Sequence, residues 1–268
     1  LRAMAVLPGL RDAARVHLVE MSPVLMARQK AALENTAVQW HGNLKDALAA
    51  AEGPAVVIAN EFLDALPIRQ LVKQGNTWRE RLVGTSEDGN SLAPVLSPEA
   101  APEAAMLPPA LAHAPDGSIA EICPAALDLV GDLSHHLHHH GGAALFIDYG
   151  YTRSAPGDSF QALKTHDFAD PFKDPGDADL TAHVDFDRLG TAAEESGLVV
   201  HGPVTQGTFL SALGIGARAD RLGQASPDRA RDFEQARDRL IGDKAMGTLF
   251  KVMALTAPDW PNPAGFAP

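Results

Sequence analysis

Apolar and polar positions along the chain alternate between extended and helical spacing. Arg15-Val16-His17-Leu18-Val19-Glu20 is a short extended run that ends in an acid. Ser22-Pro23 then opens a helix, since serine is a good N-cap and proline a good first helical residue, and Val24, Leu25, Arg28 and Leu33 continue the pattern. Val38-Gln39-Trp40-His41 is the next extended piece, followed by Gly42-Asn43 and a helix from Leu44 to Ala51. Val56-Val57-Ile58-Ala59 runs without polar interruption after Gly53-Pro54, which predicts a central parallel strand covered by helices on both faces. Strand, helix, strand, helix, strand with short loops is a parallel sheet with right-handed crossovers. Ahead of it, Pro8-Gly9 reads as a turn, and Leu1, Met4 and Ala5 share a helical face, as though sequence precedes Leu1.

Beyond Ile68 the pattern changes. Gln70 to Lys73 and Trp78 to Val83, separated by Gln74-Gly75-Asn76, predict a hairpin, and the Ala- and Pro-rich stretch from Leu92 to Asp116 reads as a loop, so residues 68–118 form an insertion. A short extended piece from Ile119 leads into a helix from Ala125 to His139, closed by Gly141-Gly142, and Ala143 to Tyr151 is a second buried strand with polar groups at its carboxyl end. Residues 152–185 are dense in Asp, Gly, Pro and His and predict a long loop, either functional, as a polar segment covering the substrate, or disordered. The α/β rhythm resumes with a helix Phe186 to Ser196 and a strand Leu198 to Val200. Residues 205–245 read as a helical insertion with a short helix, Thr208 to Leu213, and one amphipathic helix, Ala225 to Ile241; Gly247 to Leu255 is the last strand. A length of 268 residues suits one domain with insertions.

Composition narrows the function. A net charge of -12 with no basic, aromatic-interleaved stripe disfavours nucleic acid and favours a cationic partner. The single cysteine, Cys123, excludes an internal disulfide and a CxxC metal site and points to a reducing compartment. The apolar runs are too short and broken for a signal peptide or membrane insertion.

Candidate chemistry gathers where the predicted strands end. Asn60, Glu61 and Asp64 follow the Val56 strand, the position at which open α/β sheets bind ligands; acids in the first turn of a helix, favoured by its dipole, would look the same. Glu20 is placed to accept hydrogen bonds from ribose hydroxyls, or is a solvated acid before a helix cap. Asn43 could reach an adenine edge or simply form a turn. The cluster His135, His136, His138, His139 and His140 suggests metal binding, but no Cys or carboxylate completes a set and an exposed helix end suits histidine equally, so no metal is assigned. No G-x-S-x-G elbow is present.

Asn60-Glu61-Phe62-Leu63-Asp64-Ala65-Leu66-Pro67, Phe146-Ile147-Asp148-Tyr149-Gly150 and Asp179-Leu180-Thr181-Ala182-His183-Val184-Asp185-Phe186 stand in this order. With Lys164-Thr165-His166, Pro171-Phe172, Pro175-Gly176, Gly202 to Gln206 and Phe209-Leu210, they make the chain resemble the MidA-type methyltransferases. That group includes the mitochondrial arginine methyltransferase that assists assembly of respiratory complex I. The resemblance implies a Rossmann-like class I fold, with a mixed seven-stranded sheet, an antiparallel last strand and helices on both faces, and S-adenosyl-L-methionine as cofactor. It implies that Glu20 and Met21 hold the ribose end, Asn43 and Leu44 border the adenine, and Asn60 and Glu61 line the methionine end. Glu61, Asp64 and Asn60 are the implied catalytic groups; Asp148, Tyr149, Asp179, His183 and Asp185 are the implied substrate contacts. The family's first strand and glycine-rich loop would lie upstream of Leu1. The implied acceptor is a protein arginine in a complex I subunit, in the bacterial cytoplasm or the mitochondrial matrix, with oligomerisation open. Two alternatives share these features: a catalytically silent assembly chaperone on the same scaffold, and a nicotinamide-dependent oxidoreductase, against which an antiparallel last strand argues.

Overall fold

The computed structural model describes residues 7–34, 36–165 and 167–266. The helical face of Leu1, Met4 and Ala5 and the His166 of the Lys164-Thr165-His166 motif lie outside the described residues. The chain forms two compact units, residues 1–55 and 56–268.

In the first unit β1 (Val16–Val19) and β2 (Val38–His41) form a parallel pair, with Val16 opposite Val38 and Val19 opposite His41. Pro8-Gly9 starts a helix, Pro8–Ala13, instead of a turn, because proline suits the first helical position, where its missing N–H has no partner to lose. The Ser22 hydroxyl caps the helix Pro23–Ala32 by accepting from the Leu25 N–H at 3.3 Å, and Asn43 caps the helix Leu44–Ala50. Among the described residues of this unit Ala47 and Leu48 are the buried apolar ones. The Trp40 indole N–H donates to Gln29 at 3.0 Å, and Gln29 donates to Glu20 at 2.9 Å.

The second unit opens with β3 (Ala55–Asn60). Its burial alternates, and Val56 and Ile58 are 71% and 68% exposed, so among the described residues one face of the strand is open where cover on both faces was expected. Residues 69–122 contain the expected hairpin, with Gln70 opposite Arg81, and correct the expected loop. They form a four-stranded antiparallel sheet, in the order β6-β5-β4-β7, from β4 (Arg69–Gln74), β5 (Thr77–Thr85), β6 (Leu92–Ala100) and β7 (Ile119–Ile122). The Ala- and Pro-rich stretch supplies β6 and two 3-10 turns, Pro102–Met106 and Pro109–His113. Leu111, Ala101 and neighbouring apolar residues from this stretch pack on Leu71, Trp78, Ala120 and Ile122, a separate small core.

The helix Pro124–His140 leads into β8 (Gly142–Tyr151). The expected polar loop instead carries a three-stranded antiparallel flap, β9 (Gln161–Lys164), β10 (Asp167–Ala169) and β11 (Asp179–Thr181), in the order β10-β9-β11. After it come β12 (Val184–Asp185), the helix Phe186–Glu195, β13 (Val199–Thr205) and finally β14 (Phe250–Thr256). The main sheet runs β12-β8-β14-β13, with β3 also paired to β8. The last strand is antiparallel to both β8 and β13, as expected. Its core is Phe146, Val252, Met253 and Leu255 on the sheet with Val130, Leu133, Leu137, Phe186 and Leu189 from the two helices. The amphipathic helix expected at Ala225 to Ile241 starts later, as Ala230–Ile241, because Ser226-Pro227 sets a 3-10 turn ahead of it, and a further helix that was not expected, Ile215–Ala225, precedes that turn. A four-residue helix, Met246–Leu249, precedes β14, so that strand starts at Phe250 and not at Gly247. No helix among the described residues is long and apolar enough to cross a membrane.

Gly150 marks where β8 meets β12. A β-carbon there would lie 2.0 Å from the Val184 carbonyl oxygen, which is backbone and cannot turn aside. Gly150→Ala should therefore lower the urea midpoint by an amount equivalent to at least about 1–3 kcal/mol, the usual cost of overpacking; an unchanged midpoint would mean the two strands separate freely.

Candidate active site at the carboxyl ends of the strands

Asp148 organises the site. It is 1% exposed, near the carboxyl end of β8. Its Oδ2 accepts from the backbone N–H groups of Phe62, Leu63 and Asp64 at 3.1, 3.0 and 3.3 Å, and its Oδ1 accepts from the Tyr149 N–H at 3.0 Å. One carboxylate thus fixes the turn that leaves β3. Burial, reinforced by the charge of Asp64, pushes the Asp148 carboxyl up to about 7, against the pull of its amide donors. Asp148, expected among the substrate contacts, turns both carboxyl oxygens to backbone N–H groups.

Asp64 lies beneath the same turn, 6% exposed. Its Oδ2 accepts from the Tyr149 hydroxyl, its main-chain carbonyl accepts from the Ala182 N–H at 3.0 Å, and its Oδ1 is buried without a hydrogen-bond partner among the described residues. Burial and the bond to Asp64 hold the Tyr149 phenol in its neutral form, above its usual range. The Tyr149 ring meets His183 and Phe250 edge-on, each at 5.5 Å between centroids.

Glu61 points the other way. Its N–H is fixed by the Ile147 carbonyl at 2.9 Å, its φ is +49°, and its side chain is exposed beside Asn60, whose amide donates to it at 3.3 Å. A left-handed backbone at a residue with a β-carbon costs about 1–2 kcal/mol, and such strain concentrates at functional sites. The pinned amides on either side maintain it. Of the three expected catalytic groups, Glu61 and Asn60 are open and Asp64 is enclosed.

The flap side is held by a residue absent from the sequence-based set. Glu121 accepts from Gln70, the Ser159 N–H and the Phe160 N–H at 2.8, 3.0 and 3.1 Å, and also from the Ser159 hydroxyl. Ser159 Oγ in turn accepts from the His183 N–H at 2.9 Å. An isolated glutamate on a four-residue strand gives no sequence signal for such a hub. His183 is biased towards its neutral form, chiefly by burial. A cavity of about 40 Å³ lies beside it, lined by Leu63, Glu121, Tyr151, His183, Asp185 and Arg188 among others. Asp185, expected to touch substrate, caps the helix Phe186–Glu195 by accepting from the Arg188 N–H at 3.0 Å, and takes the Ser154 hydroxyl at 2.7 Å. Burial raises its carboxyl. Asp179 stands exposed on β11.

In the first unit, the Glu20 N–H donates to the His41 carbonyl at 3.0 Å, which brings the end of β1 alongside the end of β2. The Glu20 oxygens accept from the Ser22 N–H at 2.8 Å and from Gln29, and each keeps a lone pair for a hydroxyl donor. Met21, 83% exposed, and half-buried Leu44 offer apolar surface there. Asn43 spends its side chain on Asp46, accepting from the N–H at 2.8 Å and donating to the carboxylate at 2.9 Å. An acceptor pair beside exposed apolar side chains fits the sugar and base end of a nucleoside.

The histidine cluster is not an exposed helix end throughout. His136 is 5% exposed, while His138 donates to the Ser196 carbonyl at 3.0 Å and His139 to the His135 carbonyl at 2.7 Å. No group of three metal-ligating side chains is assembled among the described residues.

Comparison with known proteins places this geometry in a family. Residues 1–204 match the family model described as "Putative S-adenosyl-L-methionine-dependent methyltransferase". Similar curated proteins include the mitochondrial protein arginine methyltransferase NDUFAF7 of Homo sapiens, 33% identical over 265 residues, and its homolog in Caenorhabditis elegans, 33% identical over 262 residues. Each match covers 90% of this chain but 58% and 60% of the relative, so the chain spans about three fifths of their length. Two Burkholderia thailandensis crystal structures superpose with a TM-score of 0.80, at 29% and 28% identity; they cover 94% and 99% of this chain, which covers 69% and 70% of theirs. The second holds S-adenosyl-homocysteine. The chain belongs to the S-adenosyl-L-methionine-dependent methyltransferase family.

Proposed function

We propose that this chain methylates an arginine side chain of a protein, with S-adenosyl-L-methionine as donor and, following the family resemblance, a respiratory complex I subunit as acceptor. One observation carries the arginine reading: Glu61, strained, exposed and pinned on both sides, presents a carboxylate at the end of β3 above a second, enclosed acid. The names of the mitochondrial relatives support it. A guanidinium stays protonated at neutral pH, so its reaction needs a carboxylate that orients it and localises a lone pair on the attacking nitrogen. Glu61 takes that role, with Asn60 steadying its carboxylate. Asp64, held by the Tyr149 hydroxyl, supplies negative potential beneath, and Asp179 and His183 border the acceptor from the flap side. The cofactor supplies an electrophilic methyl group on a sulfonium. Its positive charge and that of the guanidinium repel, and the acids offset this. Glu20 and Met21 hold the ribose, Asn43 and Leu44 border the adenine, and Asn60 with Glu61 flanks the methionine end.

Incubation with methyl-labelled cofactor and arginine-bearing peptides, followed by mass spectrometry, should show label on arginine. Label on another residue would overturn the acceptor. Glu20→Ala should abolish S-adenosyl-homocysteine binding by calorimetry; unchanged affinity would remove Glu20 from the ribose role. No binding to the parent protein would favour a silent scaffold.

A further inference from the structure

The flap carries an aromatic side chain that the described residues leave largely uncovered. Phe168 on β10 is 80% exposed, more than any other large aromatic side chain among the exposed apolar residues described. In the ladder Phe168 stands opposite Leu163, and Leu163 stands opposite Asp179 on its other side, so the three share one face of the flap. Adjacent strands lie about 4.8 Å apart, which sets Phe168 and Asp179 about 10 Å apart, the span of three residues of an extended peptide. Between Gln161 and Thr181 there are five aspartates and two lysines, and Lys164 is already paired with Asp177 at 3.1 Å. The flap also continues into the site: Thr181 ends β11, and the next residue, Ala182, donates to the Asp64 carbonyl at 3.0 Å.

We propose that the Phe168–Leu163–Asp179 face of the flap docks a basic, arginine-bearing segment of the acceptor protein, one guanidinium stacking on Phe168 and another cation meeting Asp179. This rests on the arginine reading given above. An aromatic ring beside carboxylates suits guanidinium more than ammonium, because the planar cation stacks while keeping its N–H groups free for the acid. A second copy of the chain fits poorly, since both copies would bring the same aspartates together. An anionic membrane is repelled by a chain of net charge -12.

The test is fluorescence anisotropy on the full chain, with a labelled peptide of alternating arginine and glycine and its lysine counterpart. The parent protein should prefer the arginine peptide. Phe168→Ala should weaken that peptide by about two- to fivefold, the value of an exposed cation–π contact, and erase the preference over lysine. Asp179→Asn should weaken both peptides at low salt, and the loss should shrink as salt is added. Because Phe168 is exposed, its removal should leave the unfolding midpoint unchanged. Equal affinities for parent and variants would overturn the proposal, as would a Phe168→Ala variant whose only change, by sedimentation, is loss of a dimer. Methyl transfer is measured separately: flap-dependent binding without transfer leaves the docking face standing and refutes the arginine methyltransferase, and transfer with flap-independent binding does the reverse.

Discussion

Replacing Glu61 with Gln should lower methyl transfer to arginine by about a hundredfold or more, the usual scale for a residue that handles a proton or orients the group that loses one. The side chain keeps its shape and its contact with Asn60. What it loses is the negative charge that holds one guanidinium nitrogen against the methyl donor and offsets the repulsion between two cations. The affinity for S-adenosyl-homocysteine, measured by calorimetry, should stay close to that of the parent, so the defect falls on the rate. Glu61→Gly should abolish transfer equally but raise stability by about 1 kcal/mol, since glycine relieves the left-handed backbone at φ +49°. Opposite signs for stability and activity at one position would identify strain retained for function. Transfer by the Gln variant at near the parental rate would place the clamp elsewhere.

The strands that build this site were legible because their apolar runs end abruptly in polar residues. Val38 to His41 is a strand with the expected limits, and Ser22 caps the helix that follows it as expected; that Asn43 caps the next helix was not read from the sequence. The flap was not legible. Its strands are three or four residues long, too short to establish an alternation, and Asp, Pro and Gly between them mimic a loop. The 3-10 turns after β6 were missed for a related reason: Ala and Pro carry little periodic signal, and only the sheet beneath gives Leu111 a place to be buried. Least legible was the direction of each acid. Asp148 stands near the end of its strand and Glu61 and Asp64 follow the end of theirs, yet the first faces the backbone, the third is enclosed and the second is open. Strand pattern fixes where a carboxylate stands; which amides surround it depends on a turn 84 to 86 residues away.

Asp148 should prove the most sensitive position in the second unit. Asp148→Ala leaves the Phe62, Leu63 and Asp64 amides without an acceptor, and an unsatisfied buried group costs about 1–3 kcal/mol. A loss of about 3–5 kcal/mol in urea unfolding is expected, and transfer should fall with it because Glu61 loses the anchor of its turn. The native carboxyl titrates near 7, against 3.8 when unperturbed. Its folded pKa is raised, so the folded chain holds a proton that the unfolded chain has released. The resulting stabilisation is fully present below about pH 4 and lost as the pH rises through about 7, with a slope of about 1.4 kcal/mol per unit between them. Asp148→Asn keeps an acceptor oxygen for the amides but cannot ionise. Subtracting its unfolding free energies from those of the parent, pH by pH, should isolate this slope. Asp64→Asn removes the neighbouring charge and should shift the parent's titration to lower pH. If Asp148→Asn retains the full slope, the buried titration belongs to another group, and the turn that presents Glu61 does not depend on this carboxyl's charge.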